Sequence, residues 1–154
     1  MPESLRTKLT RWGWNVFPAY WGIGARVTYI AADYREIRVE LPFSWRTRNY
    51  VGTIFGGSIY AAVDPVYMIM LIKNLGQDYV VWDKAATVRF RKPARTTLHA
   101  RFLLPAEELD DIRAKLTPGG RLDRLYSVDL VDDAGMVHAE VEKTIHIRQR
   151  DALT

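Results

Sequence analysis

The stretch N-Y-V-G-T-I-F-G-G-S-I-Y-A-A-V-D, residues 49–64, decides how the rest of the chain is read. Two glycines, Gly56 and Gly57, open a long apolar run, and a single carboxylate, Asp64, lies about two turns inside it. A glycine-rich helix start leaves backbone N–H groups free to face an oxygen that carries negative charge. A lone Asp in an otherwise apolar helix is costly to bury without a partner or a chemical role. Amide donors and a carboxylate base together point to acyl transfer, such as hydrolysis of a thioester.

Outward from this segment, residues 54–75 read as one long helix. It is apolar nearly all round apart from Ser58, Asp64 and Lys73, so it is surrounded by protein. Asn74 and Gly76 mark its end, and Pro65 removes one backbone bond and kinks it. Upstream, residues 25–31 and 34–41 alternate apolar and polar side chains across a turn at Ala32-Asp33, the pattern of a hairpin. A polar, basic loop over residues 42–50 holds Arg46, Arg48 and Asn49. Downstream, residues 79–91 and 96–104 read as a strand and its return. Residues 105–116 form a short helix whose N-terminal half is loaded with Glu107, Glu108, Asp110 and Asp111, favourable for its dipole. Residues 122–131 and 136–148 make a second long hairpin. At the front, residues 4–16 form an amphipathic helix with Leu5, Leu9 and Trp12 on one face and Arg6, Lys8 and Arg11 nearby. It reads as a helix packed on the domain edge, with contact to a membrane surface as the alternative. Pro18, Gly22 and Gly24 then break the chain.

One central helix wrapped by a curved antiparallel sheet is an α+β architecture. The sheet covers the helix with one face only, and dimerisation is the expected way to manage its outer face and its edges. The 154 residues fit a single domain spanning 1–154, with 1–23 as the N-terminal helix and lead-in and 24–148 as the core.

Composition narrows the function. At 48% hydrophobic residues, with five Trp, eight Tyr and five Phe, the chain has ample core and is not disordered. The net charge of +4 suits an anionic ligand, but it is spread along the chain without a recognition motif, so nucleic acid is not an expected partner. The absence of cysteine excludes disulfides, thiolate metal sites and a Cys nucleophile. Residues 1–17 lack the continuous apolar core of a secretory signal. The longest apolar stretch, residues 61–72, is too short to span a bilayer, so the cytoplasm is the expected location. His99, His138 and His146 fall on separate strand positions without a metal-binding motif, and neither metal nor cofactor is expected.

The order of elements, with a glycine-opened helix after the first hairpin, resembles the hotdog fold. It is most similar to acyl-coenzyme A thioesterases of the phenylacetate-pathway type, whose motif runs Asn, a few residues, Gly, then His-Gly-Gly, then an Asp in the central helix. Asn49, Gly52, Gly56-Gly57 and Asp64 stand at matching positions. The resemblance implies that the glycine amides polarise the thioester carbonyl, that Asp64 acts as base or nucleophile, and that Asn49 helps to hold the site. One position departs: the family His falls on Phe55, which cannot donate a hydrogen bond. The stretches Val63-Asp64-Pro65, Val80-Val81-Trp82-Asp83-Lys84 and Phe90-Arg91-Lys92-Pro93 look like an uncharacterised thioesterase-like hotdog subfamily of unknown function.

Helix geometry adds a constraint. Phe55 and Asp64 are nine residues apart and lie on opposite faces, and Asp64 is about 10 Å along the axis from Gly57. If both groups serve one substrate, the Asp must come from a second subunit, which agrees with the interface sites of hotdog dimers. The expected protein is therefore a homo-oligomer, a dimer or a dimer of dimers, that hydrolyses acyl-coenzyme A. Ser58, Phe55 and Asp83 are candidate auxiliary residues, and Arg91 and Lys92 are candidates for the coenzyme A phosphates. Each has a plainer counterpart. Asp64-Pro65 also reads as an N-cap followed by a first helical residue. Gly56 and Gly57 also suit close helix packing. Ser58 lacks a nucleophile elbow and reads as a first-turn cap. Asp83 also suits a cross-strand pair with a basic residue, and Arg91 and Lys92 suit a solvated strand face. A non-catalytic acyl-binding protein is the alternative function, favoured by Phe55. A hydratase ranks last, because the glycine-rich start has no acid–base His.

Overall fold

The computed structural model describes residues 1–150. Ser4 opens α1 (Leu5–Val16) with a reciprocal cap: its hydroxyl accepts from the Thr7 amide, and the Thr7 hydroxyl accepts from the Ser4 amide. Pro18 stands first in a short helix, α2 (Pro18–Gly22), where its missing N–H costs nothing. The hairpin follows as β1 (Arg26–Ile30) and β2 (Glu36–Leu41). The central helical segment begins at Gly56, two residues later than its apolar pattern, and is split into α3 (Gly56–Val63) and α4 (Val66–Leu75). Then come β3 (Tyr79–Phe90), β4 (Leu98–Leu103), α5 (Ala106–Lys115), β5 (Arg121–Val131) and β6 (Val137–Gln149).

The six strands form one antiparallel sheet in the order β1-β2-β4-β5-β6-β3. The chain after β3 does not return against it. Ile54 donates to the Ala94 carbonyl at 2.8 Å, fixing the β3–β4 connection beside the start of α3, and β4 enters the sheet between β2 and β5. The inward residues of the sheet, such as Ile37, Val39, Phe102, Leu130, Val141 and Ile145, close over Ile59, Ala62, Val63, Val66, Met70 and Leu71 of the broken helix in one apolar core. Each of these larger side chains contributes roughly 1.5–3 kcal/mol by leaving water, and Ala62 less. This is the expected α+β arrangement, with the helix inside the curve of the sheet.

The two sheet edges are treated differently. On β1, the Asn15 side chain accepts from the Val27 amide at 2.7 Å and donates to the Val27 carbonyl at 2.9 Å, while Glu3 accepts from the Ile30 amide at 3.0 Å. Side chains from α1 and its lead-in therefore take hydrogen bonds that a neighbouring strand would otherwise take. On β3, twelve residues long and largely exposed, the side away from β6 carries no strand among the described residues. No described helix is long and apolar enough to cross a membrane.

Candidate active site

The loop before α3 is built by Asn49. Its side-chain oxygen accepts from the amides of Val51 and Thr53 at 3.1 and 3.0 Å, and its nitrogen donates to the Thr53 hydroxyl at 2.8 Å. Gly52 sits in this turn with φ of 79°, a conformation that favours glycine. The Phe55 amide then donates to the Thr47 carbonyl at 2.7 Å, so the helix starts one residue later. The first three amides of α3, those of Gly56, Gly57 and Ser58, have no acceptor among the described residues.

Aromatic rings also lie close over both glycines. A Cβ on Gly56 would stand 2.9 Å from the Phe90 ring, and a Cβ on Gly57 would collide with the Phe55 ring. Phe55, in the position of the family His, thus lies across Gly57, with half of its surface in solvent. Ser58 is buried, and α3 has no side-chain cap, so the expected capping role of Ser58 is not observed. Beside this helix start lies a groove of about 360 Å³ lined by Asn49, Gly56, Ile59, Phe90, Arg91 and Lys92. Two of the residues expected at the amides and the two expected at phosphates therefore share one concavity. Arg91 is held by Glu140 at 2.6 Å, which pushes its guanidinium further up, while the Lys92 ammonium lies 3.2 Å from the Met136 sulfur and has no carboxylate partner among the described residues.

At the other end of α3 the helical ladder lapses. Its last bond is Asp64 N–H to the Tyr60 carbonyl, and the next begins at Ile69 N–H to the Pro65 carbonyl. Pro65 has no N–H to offer the Ala61 carbonyl. The released carbonyls are served from elsewhere: the Tyr20 hydroxyl donates to Ala62 at 2.7 Å, and the Lys143 ammonium donates to Asp64. The break is thus supported on two sides, which makes it a built feature of the helix. Asp64 does not cap α4 with its side chain, contrary to the N-cap expectation: the residue in the cap position is Pro65, and no side-chain bond is made there.

Instead, the Asp64 carboxylate accepts from Lys143 at 2.8 Å, and Asp83 stands 2.9 Å from the same ammonium. Lys143 is 1% exposed. One buried cation thus joins two carboxylates from the helix break and from β3. Burial pushes the Asp83 carboxyl above the ordinary carboxylate range, against the opposing pull of Lys143; its Oδ1 lies at ion-pair distance but outside hydrogen-bond geometry. Burial, and then the neighbouring Asp64 carboxylate, pushes the Tyr60 hydroxyl up. Asp64 itself keeps 41% of its side chain in contact with solvent, so it remains available to a ligand.

Sequence reasoning missed Lys143, although a signal was present. Val141, Lys143, Ile145 and Ile147 follow one another at the period of two that marks the inward face of a strand, and an in-phase lysine there must be buried and paired. It also missed a second concavity of about 660 Å³ between α1–α2 and α3–α4, lined mainly by apolar atoms of Gly13, Trp14, Phe17, Tyr20, Ile69 and Ile72, with Asp64 in its wall. Gly57 and Asp64 are separated by about 10 Å of helical rise within one chain, and no hydrogen bond joins them. The histidines are each beside a carboxylate, His99 with Asp133, His138 with Asp132 and His146 with Asp123.

Residues 7–147 match the sequence family described as a domain of unknown function (DUF4442). The chain belongs to that family. No curated protein matches it. Among solved structures, a Pseudomonas aeruginosa protein of unknown function, described as a probable thioesterase, superimposes with a TM-score of 0.82 at 21% identity, over 97% of this chain and 99% of its own. A Haemophilus influenzae thioesterase gives 0.70 at 13% identity, over 96% and 93%. The PaaI protein from the phenylacetic acid degradation operon of E. coli gives 0.64 at 13% identity, over 96% of each chain. At these identities the likeness establishes the fold. This DUF4442 chain is a hotdog protein whose sheet and central helix are preceded by two N-terminal helices.

Proposed function

We propose that this protein hydrolyses acyl-coenzyme A thioesters at a site shared by two copies of the chain. The observation that carries this reading is the pairing of unaccepted amides at Gly56–Ser58 with a solvent-accessible Asp64 carboxylate at the supported helix break. The amides would face the thioester oxygen as negative charge develops on it. Asp64 of the partner would take the proton from a water that attacks the carbonyl carbon, or would attack that carbon itself to form a mixed anhydride that water then hydrolyses. The carbon–sulfur bond breaks, the thiolate leaves and is protonated, and the acyl group departs as a carboxylic acid. Asn49 shapes the loop that delivers the amides. Arg91 and Lys92 line the same groove and suit the phosphates of coenzyme A. The acyl tail fits the apolar concavity beside Asp64, whose volume lies within the range of about 300–1,000 Å³ usual for small-molecule sites. The open edge of β3 is where a second copy would add its own β3, and the chain would act as a single hotdog domain in that dimer.

A second reading, acyl binding without turnover, is favoured by Phe55, whose ring lies over Gly57 and supplies no hydrogen bond. Subunit complementation tests the shared site. Asp64→Ala lacks the carboxylate, and Gly57→Val blocks the helix start. Mixed in equal amounts, the two inactive variants form heterodimers with one intact site, and about a quarter of the activity is expected to return. Failure of any activity to return would overturn the shared site.

A further inference from the structure

The outer face of α1 is apolar and uncovered. Leu5, Leu9, Trp12 and Val16 are 76%, 63%, 67% and 50% exposed. At 100° per residue they fall in a stripe about 60° wide. The inner face is held by mixed contacts: Thr7 is fully buried, Trp14 packs against the core beside Tyr20, and Asn15 holds the edge of β1. Because hydrogen bonds to the sheet edge fix the helix rotation, the apolar stripe is turned to solvent. Phe17, between the two helices, and Trp21 of α2 are exposed as well.

The charges around the stripe say what covers it. Helical geometry places Arg6 on one flank and Lys8 on the other. Neither has a carboxylate partner among the described residues, and α1 contains no acid. Arg46 stacks over the Trp21 ring at 4.7 Å and adds a cation at the far end. A second copy seated on the open edge of β3 leaves this surface bare, because α1 packs on β1, at the opposite end of the strand order. A narrow apolar stripe bordered on one side by Trp12 and with cations on both sides matches the boundary between acyl chains and anionic headgroups.

We propose that the outer face of α1 and α2 docks on an anionic phospholipid bilayer. The helix lies in the interfacial plane, with Leu5, Leu9, Trp12 and Val16 below the headgroups and Arg6 and Lys8 at the lipid phosphates. This holds whether or not the protein is a thioesterase.

The test is sedimentation of the full chain with vesicles of pure phosphatidylcholine and of equal parts phosphatidylcholine and phosphatidylglycerol. Binding is expected to the second kind and to weaken as salt is raised. The double variant Leu9→Glu, Trp12→Glu changes only exposed side chains and is expected to abolish binding with the melting temperature preserved. Arg6→Ala with Lys8→Ala removes two headgroup contacts, and a loss of about thirtyfold in partitioning is expected at low salt. Three results overturn the proposal: no binding to anionic vesicles, undiminished binding by the Leu9→Glu, Trp12→Glu variant, or a fall in that variant's assembly mass in solution. The last would show that another copy of the chain covers the stripe.

Discussion

Replacing Lys143 with Met removes the cation that joins Asp64 and Asp83 while keeping much of the side chain's volume. Deleting one partner of a fully enclosed ion pair costs about 3–5 kcal/mol, because a charge is left buried and unpaired. Here the loss is smaller. Asp64 is 41% exposed and is rehydrated readily, so the penalty falls mainly on Asp83, whose side chain is 22% exposed. A destabilisation of about 2 kcal/mol follows, or about 4–8 °C in melting temperature for a chain of this size. The pH dependence has a definite sign. A carboxyl whose folded pKa is raised binds its proton more tightly folded than unfolded. Its contribution to stability is therefore greatest at low pH and is lost as pH rises through the folded pKa. Without Lys143 the Asp83 pKa rises further, so the cost of Lys143→Met should shrink between about pH 8 and pH 5. Adding Asp83→Leu removes the stranded charge and should recover about 1 kcal/mol. Thermal and urea unfolding of the two variants at both pH values measure these effects. A cost that is independent of pH, together with strictly additive losses in the double variant, would refute the buried triad.

Gly13 lies in the middle of α1, where glycine costs about 1 kcal/mol relative to alanine, yet a Cβ there would meet nothing within 4 Å. Gly13→Leu should therefore preserve or raise the melting temperature while filling the apolar concavity and shortening the longest acyl chain hydrolysed; an unchanged chain-length profile would remove the tail from that groove. Phe55→His restores the residue found in the resembling thioesterases, and a rise in turnover of about tenfold is expected from one added hydrogen-bond donor. Equal or lower turnover in the folded variant would mean that Phe55 belongs to a different way of holding the carbonyl.

The fold was legible where chain pattern and burial coincide. The glycine pair after a hairpin, the apolar run to Leu75 and the alternating residues of β5 and β6 all carry their periodicity openly. Pro65 announced an interruption of the helix. It could not announce that Tyr20 and Lys143 would satisfy the freed carbonyls, because both come from distant parts of the chain. The rotation of α1 was illegible for a related reason. Periodicity locates the apolar face of a helix, but Asn15 and Glu3 bind the β1 edge and decide which face is covered. The place of β4 between β2 and β5 likewise rests on contacts far apart in sequence. In the candidate site, Asn49, Gly56, Gly57 and Asp64 were singled out by the motif they resemble, and the structure places Asn49 and Gly56 in one groove and Asp64 at the helix break. That Asp64 and Asp83 share one cation was readable only from the strand phase of Lys143.

Steady-state hydrolysis of an acyl-coenzyme A panel, measured for the natural chain and for Asp64→Ala, tests thioester hydrolysis by this site most directly. The natural chain should turn over at least one chain length, and Asp64→Ala should lower that turnover by about a hundredfold or more while the substrate still binds. Binding without turnover by the natural chain, or turnover untouched by Asp64→Ala, would contradict it.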